Sequence, residues 1–138
     1  MQLKFKKLHS NAVLPSHKNH GDAGMDLTAV SIEHTNHQSI HNYGIAVEIP
    51  EGHVGLLFPR SSVCKHSERL SNCVGVIDSG YRGPIKAVFD LLEPAMEYKV
   101  HERTAQLVVI PYCHCNTEWA EELSDTERGE GGYGSTGR

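Results

Sequence analysis

No stretch of this 138-residue chain approaches the roughly 20 consecutive apolar residues that span a bilayer. The N-terminus, Met1-Gln2-Leu3-Lys4-Phe5-Lys6-Lys7-Leu8, is basic but lacks the apolar run of a signal peptide. A cytoplasmic protein is expected, in the host cytoplasm if the source is viral. There is no basic excess either. The formal charge of -4 argues against general nucleic-acid binding, although a few placed arginines can still hold a phosphate. Cys64, Cys73, Cys113 and Cys115 offer no second closely spaced pair, and Cys113-His114-Cys115 alternates like a strand. That spacing speaks against a structural zinc site, so the cysteines read as reduced thiols and the ten histidines as scattered. Internal repeats, a linker and a long helical period are all missing, which leaves one domain of ordinary size.

What the chain does have is turns and alternation. Thirteen glycines and six prolines favour short elements over long helices. Leu3 and Phe5 alternate with Lys4 and Lys6, and Ile45, Val47 and Ile49 alternate with Ala46 and Glu48 before Pro50-Glu51-Gly52. Val54–Phe58, Ile85–Leu91 and Gln106–Tyr112 are further strand-like runs. So many short strands predict an all-β sandwich, jelly roll or barrel. Ser61–Leu70 has weak amphipathic character and reads as a short helix. Thr117–Thr126, with Trp119 and Leu123 four apart, fits either a helix or a final strand. Arg128–Arg138 carries five glycines in eleven residues and is expected to be a flexible tail unless a ligand orders it.

Five segments carry polar chemistry. In the tail, Arg128 and Ser135-Thr136 bracket glycines whose unobstructed N–H groups suit a polyphosphate, and Tyr133 can lie flat on a base. This is not a P-loop, because Gly134 occupies the lysine position and the chain stops two residues after Thr136. Gly75-Val76-Ile77-Asp78-Ser79-Gly80-Tyr81-Arg82-Gly83 reads as a strand entering a tight turn, with Tyr81 and Arg82 on the return. Asp78 there is either an Asx-turn residue or a general base for water. Pro59-Arg60-Ser61-Ser62 ends a strand, and its serines are either helix caps or part of an anion site. Asp26, inside the apolar Gly24-Met25-Asp26-Leu27, needs a cation or donors. Arg103-Thr104-Ala105-Gln106 is uninformative alone.

In order and approximate spacing, Ala23–Leu27, Pro59–Ser62, Gly75–Gly83, Arg103–Gln106 and Arg128–Gly137 resemble the five motifs of the trimeric dUTPase (deoxyuridine triphosphate nucleotidohydrolase) family. The resemblance implies a jelly-roll β-barrel over residues 1–124 and a flexible arm, 125–138, closing over an active site. It implies a homotrimer whose sites lie between subunits, with no nucleic-acid or membrane partner. The implied reaction is hydrolysis of dUTP to dUMP and pyrophosphate, which lowers dUTP and supplies dUMP for dTTP synthesis.

By position, Asp78 is expected to activate the water that attacks the α-phosphorus. Asn72, Val74, Gly75 and Ile77 are expected to read uracil, with Tyr81 under the deoxyribose and Tyr133 stacked on the base. Arg60, Ser61, Ser62, Gln106, Arg128, Gly134, Ser135 and Thr136 are assigned to the phosphates. Asp26 is expected near Mg2+, through water. Met25, Tyr133, Ser62-Val63-Cys64 and Pro84 depart from the family's common residues. Alternatives are a dCTP deaminase, which shares the fold, and a nucleotide-gated module whose tail signals to a regulatory protein.

Overall fold

The computed structural model describes residues 1–92 and 96–132. Ten strands account for nearly all regular structure among these residues. They are β1 (Lys4–Lys7), β2 (Met25–Thr28), β3 (Ser31–His34), β4 (Gln38–Asn42), β5 (Ile45–Glu48), β6 (His53–Pro59), β7 (Glu68–Leu70), β8 (Gly75–Ile77), β9 (Lys86–Leu91) and β10 (Arg103–Pro111). A 3-10 helix, Ser61–Lys65, lies between β6 and β7.

All the strand pairings are antiparallel. They build a small β1-β5 pair and two four-stranded sheets, ordered β2-β10-β6-β8 and β3-β4-β9-β7. Apart from the β3-β4 hairpin, sequence neighbours fall in different sheets, which is jelly-roll wiring. Alternation decides what faces inward: β2 buries Met25 and Leu27, β9 buries Ala87 and Phe89, and β10 buries Ala105 and Leu107. These meet Ile45, Val47, Leu57 and Ile77 in one core. Tyr43, also fully buried, satisfies its hydroxyl against Thr104 at 3.0 Å.

The β3-β4-β9-β7 sheet also turns polar groups inward. Ser39 and His41 on β4 and Glu68 on β7 are completely enclosed, on either side of β9.

Three local expectations are corrected. Ser61–Leu70 is not one helix: the 3-10 turn stops at Lys65 and Glu68–Leu70 is a strand, because Glu68 and Leu70 point into the core and pair with β9. Neither serine caps that turn. Arg60 occupies the N-cap with extended backbone, and no side chain closes it. Thr117–Thr126 is neither helix nor strand, and Trp119 and Leu123 are exposed, with nothing among the described residues to pack on.

Candidate active site

Strand register gathers one set of motif residues at the end of the β2-β10-β6-β8 sheet. Gln106 on β10 stands opposite Asp26 on β2 and Phe58 on β6, and Ala105 stands opposite Pro59. Arg60 emerges one residue beyond β6 and its Nε donates to Asp26 Oδ1 at 2.6 Å. Arg103 Nη1 donates to Asp26 Oδ2 at 2.9 Å. Asp26 therefore has its donors, and two guanidiniums on one carboxylate leave the group one positive charge in excess. Arg60 Nη1 also reaches Ser62 Oγ and the Arg103 carbonyl, each at 3.4 Å. Gln106 donates from Nε2 to the Pro59 carbonyl at 3.0 Å. A Cβ on Gly24 would collide with the Gln106 amide, which explains the glycine before Met25-Asp26. Lys18, Asp26, Arg60, Ser61 and Gln106 line a cleft of about 440 Å³ here.

The other set sits at the far edge of the same sheet. Gly75, Val76 and Ile77 of β8 pair with Leu57, Leu56 and Gly55. Because β8 is the last strand in its sheet, its second edge keeps free N–H and C=O groups. Asp78 follows at once, exposed, and the Tyr81 N–H closes a turn onto the Asp78 carbonyl at 3.0 Å. Arg82 ties the turn by donating to the Ser79 and Tyr81 carbonyls at 2.6 and 2.9 Å. The Tyr81 hydroxyl donates to the Pro84 carbonyl at 3.1 Å, so Pro84 serves as an acceptor although it has no N–H to give.

The expected return through Tyr81 and Arg82 is not a strand beside β8. After the turn the chain crosses to β9, which belongs to the opposite sheet. Asn72, Gly75, Asp78, Tyr81 and Pro84 line a cleft of about 480 Å³. Val74 closes the tight bend before β8, its N–H on the Asn72 carbonyl, with Cys73 between them at φ 60°. Lys86 also lines this cleft and was not singled out from sequence; its outward place in Lys86-Ala87-Val88 is a weak signal.

The two sets do not meet within one chain. Asp78 lies level with Val54 near the start of β6, whereas Arg60 follows its end. Six residues of strand separate those levels, about 20 Å at a rise of ~3.3 Å per residue. Arg128, the last predicted site residue described, lies apart from both clefts and donates from Nε to the Gly131 carbonyl at 2.9 Å. Tyr133, Gly134, Ser135 and Thr136 lie outside the described residues.

A protein-family model described as dUTPase matches residues 10–137. The chain belongs to the dUTPase family. It is 40% identical over 142 residues to the deoxyuridine 5'-triphosphate nucleotidohydrolase of Nautilia profundicola, with all of both chains covered. It is 39% identical over 140 residues to that of Clostridioides difficile, covering 98% of this chain and 97% of the relative. Among solved structures, the dUTPase of Staphylococcus bacteriophage 80alpha with dUPNHPP superposes with a TM-score of 0.83 at 30% identity, covering 99% of each chain. A dUTPase of phage phi11, described with a structural Mg(II) ion, shares the fold at a TM-score of 0.74 and 24% identity, covering 89% of this chain and 99% of that one. Four of the five motif segments, all but Arg128–Gly137, are thus divided between two ends of one sheet. No helix among the described residues is long and apolar enough to cross a membrane.

Proposed function

We propose that this chain hydrolyses dUTP to dUMP and pyrophosphate, with Asp78 aiming the attacking water. The supporting observation is the position of Asp78 at the tip of an edge strand whose backbone is free to read a base. Uracil offers an N3–H and an O4 to such an edge, where one C=O and one N–H can pair with them. Cytosine presents the opposite pattern and would leave those groups unpaired, the strong form of discrimination. Tyr81 flanks the sugar end of the cleft. The exposed Asp78 carboxylate can accept a proton from water while that water attacks the α-phosphorus.

The phosphates are held by Arg60, Ser61, Ser62 and Gln106. Since Arg60 stands about 20 Å along β6 from Asp78, and Gln106, level with Phe58, about 13 Å, one triphosphate is not expected to use both sets of a single copy. A site shared between copies resolves this, and a three-fold ring closes such a head-to-tail contact. The extended, uncovered segment carrying Trp119 and Leu123 fits a role in reaching a second subunit. Arg128 and the residues after it, Tyr133 to Thr136, are assigned to closing the site, which is why the arm is read as 125–138.

Mg2+ fits the donor set in one manner. Both Asp26 oxygens already accept from arginines, so this carboxylate is suited to hold the ion through water rather than directly. When bound, the ion neutralises and orients the triphosphate. The chain's own residues place the phosphates and exclude bulk water.

The test is Asp78→Asn, which leaves an exposed turn intact. Pyrophosphate release from dUTP is expected to fall by about 10²- to 10⁴-fold with an unchanged melting curve. Undiminished turnover, or ammonia release from dCTP by the parent protein, would count against the reading.

A further inference from the structure

Tyr81 is the only aromatic side chain among the described residues that line the Asp78 cleft, and it is 44% exposed. A tyrosine standing out from a turn normally samples several rotamers, and holding it in one has an entropic cost. Here the side chain is held at two points. Its hydroxyl donates to the Pro84 carbonyl at 3.1 Å. Its ring rests against the Cα of Gly83, where a Cβ would run into both the hydroxyl and the ring edge. Gly83 is not in the left-handed region that favours glycine, so the close approach of the ring, not the backbone, accounts for the residue.

The seat is fastened to the barrel on both sides. Pro84 has its φ fixed by its own ring, and Ile85 after it is buried. The Ile85 N–H donates to the Ile45 carbonyl at 2.8 Å, and the Ile85 carbonyl accepts the Tyr43 N–H at 3.2 Å. Before the seat, the Asp78–Tyr81 turn and the Arg82 guanidinium hold the Tyr81 backbone. The hydroxyl's proton is therefore committed to the chain's own carbonyl, and the cleft receives the ring rather than a free donor.

We propose that Gly83 and Pro84 are positioning residues that set the discrimination between deoxyribose and ribose by seating Tyr81. A ring held still before the nucleotide arrives does not yield to an added 2′-hydroxyl, whereas a ring free to change rotamer moves aside. The inference rests on the dUTP reading for the placement of the sugar against Tyr81.

Gly83→Ala puts a methyl where the ring now rests. The atoms it meets are the far end of one side chain, so Tyr81 swings off its seat and the melting curve should be unchanged. The ratio of kcat/KM for dUTP to that for UTP should fall about tenfold, out of the roughly 10²-fold that shape alone achieves against an added hydroxyl. Tyr81→Phe keeps the ring on Gly83 and removes only the bond to Pro84. It should lower the same ratio about fivefold, the worth of one hydrogen bond, and it decides alone should Gly83→Ala misfold.

In the free, full-length protein, a nuclear Overhauser contact between the Tyr81 ring and the Gly83 Hα protons should be present in the parent and lost in Gly83→Ala. Its absence from the parent overturns the inference whatever the enzyme does. A ratio that falls in Tyr81→Ala but stays unmoved in the two seat variants overturns the inference alone, since the seat would then be structural only. A ratio unmoved even in Tyr81→Ala, or a parent that does not cleave dUTP, brings down the sugar reading and the inference with it.

Discussion

At the Pro59 end of β6, the candidate site is built from charged side chains that leave one positive charge in excess: Asp26, Arg60 and Arg103 in a single ion-paired group, with Gln106 fastened beside them. At the His53 end it is built from main chain: an edge strand, a closed turn, and one exposed carboxylate. The first suits an anion whose charge matters more than its outline. The second suits a flat base whose donor and acceptor order matters more than its charge. On the proposed reading, the distance between them has each copy contribute half of two different sites.

The strongest way to break this contrast is subunit mixing. Asp78→Asn and Arg60→Ala copies should each be nearly inactive alone. Mixed and re-annealed, they should recover activity of the order of a tenth or more of the parent's, against single-mutant losses of about 10²-fold or greater. No recovery in hetero-oligomers verified by mass would return both residues to one chain's site.

A second test disturbs the charged end only. Gly24→Ala drives a methyl into the Gln106 amide, so kcat/KM should drop about ten- to a hundredfold, as small misplacements of positioning groups do. The preference for dUTP over dCTP should survive. A changed base preference would dissolve the division of labour.

The smallest effect concerns the main-chain end. Cys73 holds φ 60° in the bend before β8. There, Cys73→Gly should relieve left-handed strain of about 1–2 kcal/mol, less ~0.5–1 for glycine's added freedom when unfolded. A rise of a few degrees in Tm is expected by calorimetry; a fall would show that the Cys73 side chain, not the bend, carries the stability.

Legibility in the sequence followed the same contrast. β1 and β5 were readable because Leu, Phe, Ile and Val alternate along them with Lys, Ala and Glu, and β6, β9 and β10 were readable as short apolar runs. β3, β4 and β7 were not singled out. In Gln38-Ser39-Ile40-His41-Asn42 the inward positions are Ser39 and His41, whose Oγ and Nε2 meet each other and Glu68, so hydrophobic alternation points the wrong way. The short helix expected over Ser61–Leu70 failed for a related reason, since Glu68 and Leu70 turn inward on a strand and the core supplies the Glu68 carboxylate with donors.

The site residues were individually visible, and Asp26's need for cations was foreseen from its apolar neighbours. Their grouping was not visible. Register, not motif spacing, sends Arg60 to one end of β6 and Asp78 to the other. The turn after Asp78 looked like a hairpin because chain-local signals cannot say that the next strand joins a different sheet.

The chain's single tryptophan stands on the uncovered stretch after β10. It is therefore a built-in optical gauge. Its emission should lie far to the red in a lone copy and move blueward as that stretch finds cover, so dissociation on dilution can be followed in a fluorimeter without a label.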